Sequence, residues 1–528
     1  MTSPVLINDS KFKFVVVGGG TAGWLTALYM RQYYPHASIT LIESPEIGIL
    51  GAGEGTTPHF VQALQELNIS VASIINHANG TFKNGIKFTG WNTGAQDDYF
   101  YHGFYNINDL NFATQTSTGW SEVPLTVIEQ VSKGETFNKL DFSVLISDRN
   151  AVKFIADSDI NNKDLFSKLS HYKNVGDFAL HFDATLLAEH LKYFGRRRNI
   201  NIISGTVEQI INDKDGYIAE LKLKDGPNVS CNFVFDCTGF KRLIIGKHYK
   251  SKWKSYKDYL PVNRALPFFV PIDSNAPIPP YTEAIAMKYG WMWKIPTRGR
   301  FGCGYVFDSN QISDEQAKIE IDRVTGIDTP LPRAFSFEAG VYKKQWIKNC
   351  VAIGLSSGFV EPLEATSIWV GLIGIRNVLT HISGITERDE SQIEHFNTKM
   401  IRTSDDVLTF LHYHYLTNRV DTPFWKDFAV NNKCPEFTQE LIANNKDVLW
   451  VPNLTRYSPQ VFPPHSWYQV GAGNRFFNQA AAKKALESHN QGLNKITYNT
   501  LSNRYLKNID IVSEAAIDHK KMIQYLLV

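Results

Sequence analysis

The sequence predicts an α/β fold with a parallel-sheet core, a sheet-containing second region and a mainly helical C-terminal part. Three observations predict it. A short apolar run leads directly into a glycine-rich turn and a helix-patterned stretch. A second strand-like run follows and stops on an acid. From Gln392 onward the apolar spacing is mainly helical.

Taken in order, Phe14 to Val17 reads as a buried parallel strand, because it is short and apolar throughout. Gly18-Gly19-Gly20-Thr21-Ala22-Gly23 follows, and Trp24 to Tyr34 carries helical spacing until Pro35 ends it. Ser38 to Ile42 is a second strand ending at Glu43, which completes a β-α-β unit. Asp183 to Phe194 is helical. Asn201 to Asp225 alternates as antiparallel strands do, around Asp213-Lys214-Asp215-Gly216. Phe233 to Phe235 is another buried strand, stopping at Asp236. Ile285 to Ile295 and Arg300 to Phe307 read as strands of a sheet outside the core, and the helical C-terminal part is interrupted by a proline-rich stretch, Pro452 to Pro464. No repeat or low-complexity linker separates these pieces. The expected division is therefore interleaved: residues 1–60, 175–245 and 345–400 form the core, 61–174 and 246–344 a substrate-side region, and 401–528 a helical cap.

The 528 residues are 43% hydrophobic and 20% charged, which is enough for a large buried core. A net charge of +2 gives no reason to expect nucleic acid or an anionic membrane as partner. Cys231, Cys237, Cys303, Cys350 and Cys434 form no Cys-x-x-Cys pair and no Cys/His metal spacing, so reduced thiols and no metal are expected. No apolar run approaches the roughly 18–20 residues of a membrane span. Met1 to Lys13 lacks an apolar signal core, and the expected location is the cytoplasm. Aromatic residues make up 13%, which supplies core rings and stacking faces for a flat ligand.

Gly18-x-Gly20-x-x-Gly23 sits between a strand and a helix, with Glu43 twenty residues beyond the last glycine. That is the dinucleotide-binding arrangement. The glycines, with Thr21 and Ala22, let backbone N–H groups reach a pyrophosphate at a helix N-terminus, and the acid accepts from a ribose. NAD and FAD share this pattern. A second glycine loop, Gly51-Ala52-Gly53-Glu54-Gly55-Thr56, and the strand-end loop Asp236-Cys237-Thr238-Gly239 favour FAD. No second glycine fingerprint serves a nicotinamide, so the flavin has to arrive reduced from a separate NAD(P)H:flavin reductase.

Four further stretches narrow the reading. They are Thr81-Phe82-Lys83-Asn84-Gly85-Ile86-Lys87-Phe88, Gly290-Trp291-Met292-Trp293-Lys294-Ile295-Pro296, Phe359-Val360-Glu361-Pro362-Leu363-Glu364-Ala365-Thr366-Ser367 and Asp421-Thr422-Pro423-Phe424-Trp425. With Gly18 to Trp24, they resemble the flavin-dependent halogenases, in the branch that includes the tryptophan halogenases, from about Phe14 to Trp425. The resemblance implies an FAD-binding, Rossmann-like core of the glutathione-reductase and hydroxybenzoate-hydroxylase type, with Leu355 among the cofactor contacts. It implies that reduced FAD, oxygen and a halide ion yield hypohalous acid, which travels through a tunnel to a separate aromatic substrate. The family's lysine, which presents that oxidant, matches Lys83. The residues alone leave Lys87 open, two pleats further on and facing the same side. The family's glutamate matches Glu364, with Glu361 as second candidate, and the amides that hold the halide match Thr366 and Ser367. Trp291 and Trp293, with Ile295 and Pro296, match the wall that keeps substrate from flavin. His102 and Phe104 match the two faces of an indole sandwich. Trp467 is a further aromatic wall.

Two departures from the family pattern carry information. Ala365 stands where the tryptophan halogenases have serine, and Ser367 where they have glycine. Altered halide choice follows, with bromide or iodide at least level with chloride. The Tyr-Tyr pair and acid-rich segment that hold free tryptophan are missing from Val448 to Leu454 and Pro463 to Tyr468. The expected substrate is a free, small, electron-rich aromatic such as an indole or phenol. A homo-oligomer is compatible with the sequence. The alternative is a flavin monooxygenase or hydroxylase, which would carry Gly-Asp where Gly354-Leu355-Ser356-Ser357 stands and would not need Lys83. A flavin-binding sensor would need neither Lys83, Glu364 nor the W-x-W-x-I-P run.

Overall fold

The computed structural model describes residues 9–46, 53–104, 122–135, 142–156, 172–174, 177–330, 333–381, 383–431, 433–444, 461–489 and 513–527, with isolated positions between 499 and 510. The chain divides into two compact units, each made of three segments. The first comprises residues 1–79, 182–256 and 338–405, and the second 80–181, 257–337 and 406–528.

The first unit is built on a six-stranded sheet in the order Asn201–Ser204, Ser38–Glu43, Lys13–Val17, Phe233–Asp236, Cys350–Ala352, Trp346–Ile347. Neighbours run parallel except for the last pair. Parallel strands are covered on both faces, which is why Phe14 to Val17 are all buried rather than alternating. The helix Thr21–Tyr33 lies against the helix Ala184–Arg197. Gly195 permits this, because a Cβ there would fall 2.5 Å from Cζ3 of Trp24. Asp183 caps the second helix by accepting from the Thr185 and Leu186 amides. The reading of Asn201 to Asp225 as antiparallel strands holds only from Val207. Asn201–Ser204 joins the parallel sheet instead. The hairpin pairs Val207–Asn212 with Ile218–Leu223 around Gly216, at φ +83°. A half-exposed parallel strand alternates much as a hairpin strand does, so residue pattern could not separate them.

The second unit carries a seven-stranded sheet in the order Phe335–Ser336, Arg264–Pro271, Arg300–Phe307, Gly290–Thr297, Thr282–Ala286, Gly85–Thr89, Tyr99–Gly103. The single strand expected over Ile285 to Ile295 is in fact two antiparallel strands, with Ile285 opposite Met292. The turn between them is held by the Asp421–Trp425 motif. Trp425 donates its indole N–H to the Met287 carbonyl at 2.9 Å, and Thr422 its hydroxyl to the Lys288 carbonyl at 2.7 Å. The C-terminal part is helical as expected, with Pro423–Asn431, Glu436–Asn444, Pro464–Gly473 and Gln479–His489. Near its end a short strand, Ala516–Asp518, pairs with Ala151–Ala156 and leads into the helix His519–Leu527. Three residues are too few to show a period, so sequence reading passed over this strand. No helix among the described residues is long and apolar enough to cross a membrane. All five cysteines are free thiols.

Burial shapes the response of the second unit to acid. It lowers the imidazoles of His412 and His519 from 6.5 to about 4 and that of His465 to about 3. The unfolded chain binds protons at these groups below about pH 6.5, whereas the fold resists them until near pH 4. Their contribution is therefore intact above pH 6.5 and drains away as the pH falls, by about 1.4 kcal/mol per pH unit for each group. Thermal unfolding without flavin is expected at a clearly lower temperature at pH 5 than at pH 7.5. Equal melting temperatures would show that protonation of these buried rings is not opposed by the fold.

Candidate active site

The first unit holds the nucleotide cradle. Gly18 has φ +125°, and a Cβ there would fall 2.1 Å from the Cys237 carbonyl oxygen. A Cβ on Gly23 would fall 1.8 Å from the Gly18 carbonyl oxygen. Both glycines are required because backbone meets backbone. Gly20 differs. Its φ is −80°, and an added Cβ would meet nothing within 4 Å. Neither conformation nor packing demands glycine there. Bare backbone at the open N-terminus of the helix Thr21–Tyr33 fits the close approach of a pyrophosphate. Thr21 and Ala22 open this helix. Ala22 is also touched by the loop carrying Leu355, since a Cβ on Gly354 would lie 2.9 Å from its methyl group.

The acids around this cradle have built partners. The Glu43 carboxylate accepts from the Lys192 ammonium at 2.5 Å, and this holds it at the end of its strand. Lys192 was invisible to sequence reasoning, because only the fold brings the helix Ala184–Arg197 beside Glu43. Asp236 is fully buried and accepts from Thr238 N and Oγ1 and from the Ile244 and Ile245 amides. These bonds fix the loop Cys237 to Gly239. Gly53 sits at φ +78°. Glu54 begins the short strand Glu54–Gly55, and burial, then the charge of Asp183, pushes its carboxyl up to about 7. Gly51 and Ala52 lie outside the described residues.

The Phe359–Ser367 segment also belongs to the first unit. Glu361 and Glu364 are both buried. Ala365 is strained at φ +54° and stands at the N-cap of the helix Thr366–Thr380. Thr366 and Ser367 are the first two residues of that helix, so its own ladder has no use for their amides. Alanine brings no side-chain acceptor to them. One turn on, Trp369 stacks on His59 at 4.1 Å, and burial lowers the His59 imidazole to about 4.

In the second unit, Lys83 ends the strand Thr81–Lys83, opposite Ala179, and is fully buried. Asn84 breaks the strand, donating its amide to the Pro280 carbonyl at 2.7 Å. The chain then enters Gly85–Thr89 in a different sheet, where a Cβ on Gly85 would fall 2.3 Å from the His102 carbonyl oxygen. The expectation that Lys83 and Lys87 share one strand face is therefore corrected. Lys87 pairs with Tyr101 and Glu283, and its ammonium lies 4.0 Å from the Tyr99 ring centre. The Lys83 ammonium lies 5.4 Å from the ring centre of Phe104.

The residues beside Lys83 are tied at long range. The Thr81 hydroxyl donates to the Pro296 carbonyl at 2.7 Å, which joins this strand to the end of the Trp291–Pro296 run. Proline is tolerated at 296 because the Thr282–Ala286 strand pairs only as far as Lys294. The Phe82 amide donates to Nε2 of His519 at 2.9 Å, while His519 Nδ1 donates to the Ile278 carbonyl at 2.8 Å. That neutral tautomer agrees with its lowered basicity. Nothing near Lys83 in the sequence could have pointed to a residue 437 positions beyond Phe82.

Trp291 and Trp293 are buried edge to face with ring centres 6.3 Å apart. The Trp293 ring occupies the space beside Gly304, where a Cβ would fall 2.1 Å from it. Ile295 and Pro296 continue this buried strand. His102 is buried, its Nε2 2.9 Å from the Ser466 hydroxyl and its ring edge-on to Phe410. Phe410 also stacks on Phe462 at 3.9 Å and meets Trp467 at 4.9 Å. Lys83 and Phe104 lie together in this unit, and His102 and Trp467 share a wall of rings there.

Known proteins resemble this chain along most of its length. The family model described as tryptophan halogenase matches residues 13–489. The chain is 30% identical over 441 residues to tryptophan 6-halogenase ThaL of Streptomyces albogriseolus, covering 79% of each chain. It is 32% identical over 437 residues to tryptophan 7-halogenase RebH of Lentzea aerocolonigenes, covering 78% of each. Among solved structures, Tar14, a tryptophan C-6 flavin-dependent halogenase from taromycin biosynthesis, matches with a TM-score of 0.82 at 26% identity, over 98% of this chain and 100% of that one. With a glycine turn between strand and helix and a family match along most of its length, the chain belongs to the tryptophan-halogenase family and is a flavin-dependent halogenase, working with FAD reduced by a separate reductase and with a halide ion.

Proposed function

We propose that this halogenase acts on a free, electron-rich aromatic, an indole or a phenol, with Lys83 as the donor that activates the halogen. The observation that carries the reading is a fully buried lysine whose ammonium lies 5.4 Å from the ring of Phe104. ThaL and RebH are named for tryptophan. The indole ring is the part of that substrate the reading keeps.

Gly18, Gly20, Thr21, Ala22 and Gly23 would cradle the pyrophosphate, Glu43 the ribose, and Gly51, Ala52, Gly53, Glu54 and Leu355 the remainder of the cofactor. Bound reduced FAD supplies the two electrons that, with oxygen and halide, yield hypohalous acid and water. The Thr366 and Ser367 amides hold the halide at a helix N-terminus. Lys83 passes a proton to the oxygen of hypohalous acid, so that oxygen leaves as water while the halogen bonds to a ring carbon, and the lysine regains its proton from the one the ring loses. Glu364, with Glu361 as second candidate, takes the proton that the ring loses. The sum is aromatic C–H plus hypohalous acid giving aromatic C–halogen plus water. Trp291, Trp293, Ile295 and Pro296 form a rigid wall. His102 and Phe104 offer the faces against which a flat substrate stacks, and Trp467 closes that wall.

Three outcomes are expected. Lys83→Ala keeps reoxidising reduced FAD but loses halogenated product by roughly 10²-fold or more in a mass-spectrometric assay with indole. Abundant product from that variant would assign the chemistry to free hypohalous acid. Gly20→Ala changes the melting temperature little, because its Cβ enters open space, yet weakens FAD binding at least ~10-fold by titration, the scale of a lost close backbone approach. Equal affinity would remove the pyrophosphate from this turn. With chloride, bromide and iodide at equal concentration, brominated or iodinated product at least equals chlorinated product. A clear chloride preference would end the argument from Ala365 and Ser367.

A further inference from the structure

Lys87 differs from Lys83 in the rings it faces. Side chains alternate along a strand, so Lys87 and Thr89 share one face of the seven-stranded sheet, while Phe88 stacks on Phe100 on the other. On the neighbouring strand Tyr101 stands directly opposite Lys87, and Tyr99 opposite Thr89. On the other side Glu283 pairs with Lys87 and accepts from the Thr89 hydroxyl at 2.8 Å. The outcome is a tyrosine cluster around one ammonium. The Lys87 nitrogen lies 4.0 Å from the ring centre of Tyr99, 5.6 Å from that of Tyr281 and 5.7 Å from that of Tyr101. The negative faces of the rings attract the cation.

Two of these phenols share one carboxylate. The Tyr101 hydroxyl donates to Asp148 at 2.8 Å and the Tyr99 hydroxyl at 3.2 Å. Tyr101 is buried, but Lys87 and Tyr99 are only half-buried and Asp148 is exposed, so the cluster is reached from solvent on the Tyr99 side. A phenol that donates to a carboxylate pushes electron density onto the ring carbons beside its oxygen. Phe104, whose ring centre lies 5.4 Å from the Lys83 ammonium, has no such oxygen. A halogen held at Lys83 therefore meets an unactivated ring in Phe104, whereas one held at Lys87 would be spent on Tyr99. The two lysines are four residues apart, which is at most about 14 Å of backbone.

We propose that Lys87, Tyr99 and Asp148 form a self-halogenation site, which captures hypohalous acid that no substrate has taken. The inference rests on the reading that oxygen and halide yield that acid at the reduced flavin. Lys87 in its uncharged form attacks the halogen. A nitrogen–halogen bond forms, the oxygen–halogen bond breaks, and one amine proton leaves with the oxygen as water. A Tyr99 carbon beside the hydroxyl then takes the halogen. The carbon–halogen bond forms, the nitrogen–halogen bond breaks, and the proton lost by the ring returns to nitrogen. The sum is phenol C–H plus hypohalous acid giving C–halogen plus water, with Lys87 regenerated. Asp148 accepts the phenol's hydrogen bond throughout and so keeps the ring electron-rich.

The test follows bromine by peptide mass spectrometry in the FAD-loaded enzyme. One arm runs turnover with a generic reductase, NADH and bromide, without an aromatic substrate. The other adds substoichiometric reagent hypobromous acid. Both should place bromine on Tyr99 ahead of every other tyrosine among the chain's 23. Lys87→Arg keeps a cation over the ring but no attacking amine. It should cut Tyr99 labelling at least ~10-fold, the scale of a lost intramolecular transfer, and still halogenate indole like the wild type. Tyr99→Phe should stop the second step and leave a bromine at Lys87 that a thiol removes. Bromine spread over many tyrosines in both arms, or undiminished at Tyr99 in Lys87→Arg, overturns the proposal. Loss of indole halogenation in Lys87→Arg overturns it too, by making Lys87 the lysine that serves substrate. So does an unlabelled Tyr99 when a soluble trap shows hypobromous acid released in turnover. Labelling by the reagent alone, with no acid formed in turnover, upholds the site and defeats the hypohalous-acid reading.

Discussion

The second unit depends on the burial of one ammonium. Lys83 carries its charge fully out of bulk water, at a cost of several kcal/mol that the surrounding fold must offset. The side chain can be held there only if its backbone cannot yield. The strand that supplies it has just three residues, and each is tied: Thr81 to Pro296, Phe82 to His519, and Lys83 in register with Ala179. Those ties come from the aromatic strand, the C-terminal helix and the strand ahead of residue 182. The placing of one nitrogen thus engages pieces of chain from all three segments of the unit.

The first unit solves a different problem. It must present backbone, not side chain, to a ligand. Gly18 and Gly23 bring two loops into backbone contact, and Asp236 secures the second loop with four accepted hydrogen bonds. What remains uncovered is Gly20, at a helix start, where an added Cβ would meet open space. A related device appears at Ala365, where a strained residue opens a helix and brings no capping side chain to the amides of Thr366 and Ser367. Both rest on the free amides at a helix start.

Much of this was legible in the sequence, and the reason is locality. Glycine spacing, a strand stopping at Glu43 and the W-x-W-x-I-P run are short patterns whose physical demands act on neighbours in the chain. The first sixty residues, the family and the helical C-terminal part could therefore be read directly. The features that escaped are those made by contact between distant segments. Lys192 reaches Glu43 only because a helix from residue 184 lies beside it, and His519 reaches Phe82 across nearly the whole chain. The choice between Lys83 and Lys87 depended on Asn84 ending one strand and sending the next into another sheet, a break that no alternation of residues reveals. The turn at Met287 to Tyr289 was hidden for the same reason. Its signal is the grip of Thr422 and Trp425, from far along the sequence.

The bond from Phe82 to His519 has a bearing on how the protein is made. A chain emerging from the ribosome displays its glycine turn and first strands early, but the acceptor for the Phe82 amide follows 437 residues after it. The strand bearing Lys83 therefore stays incomplete until His519 has been made. Any chain that stops short of His519, through premature termination, lacks the ring that holds this strand.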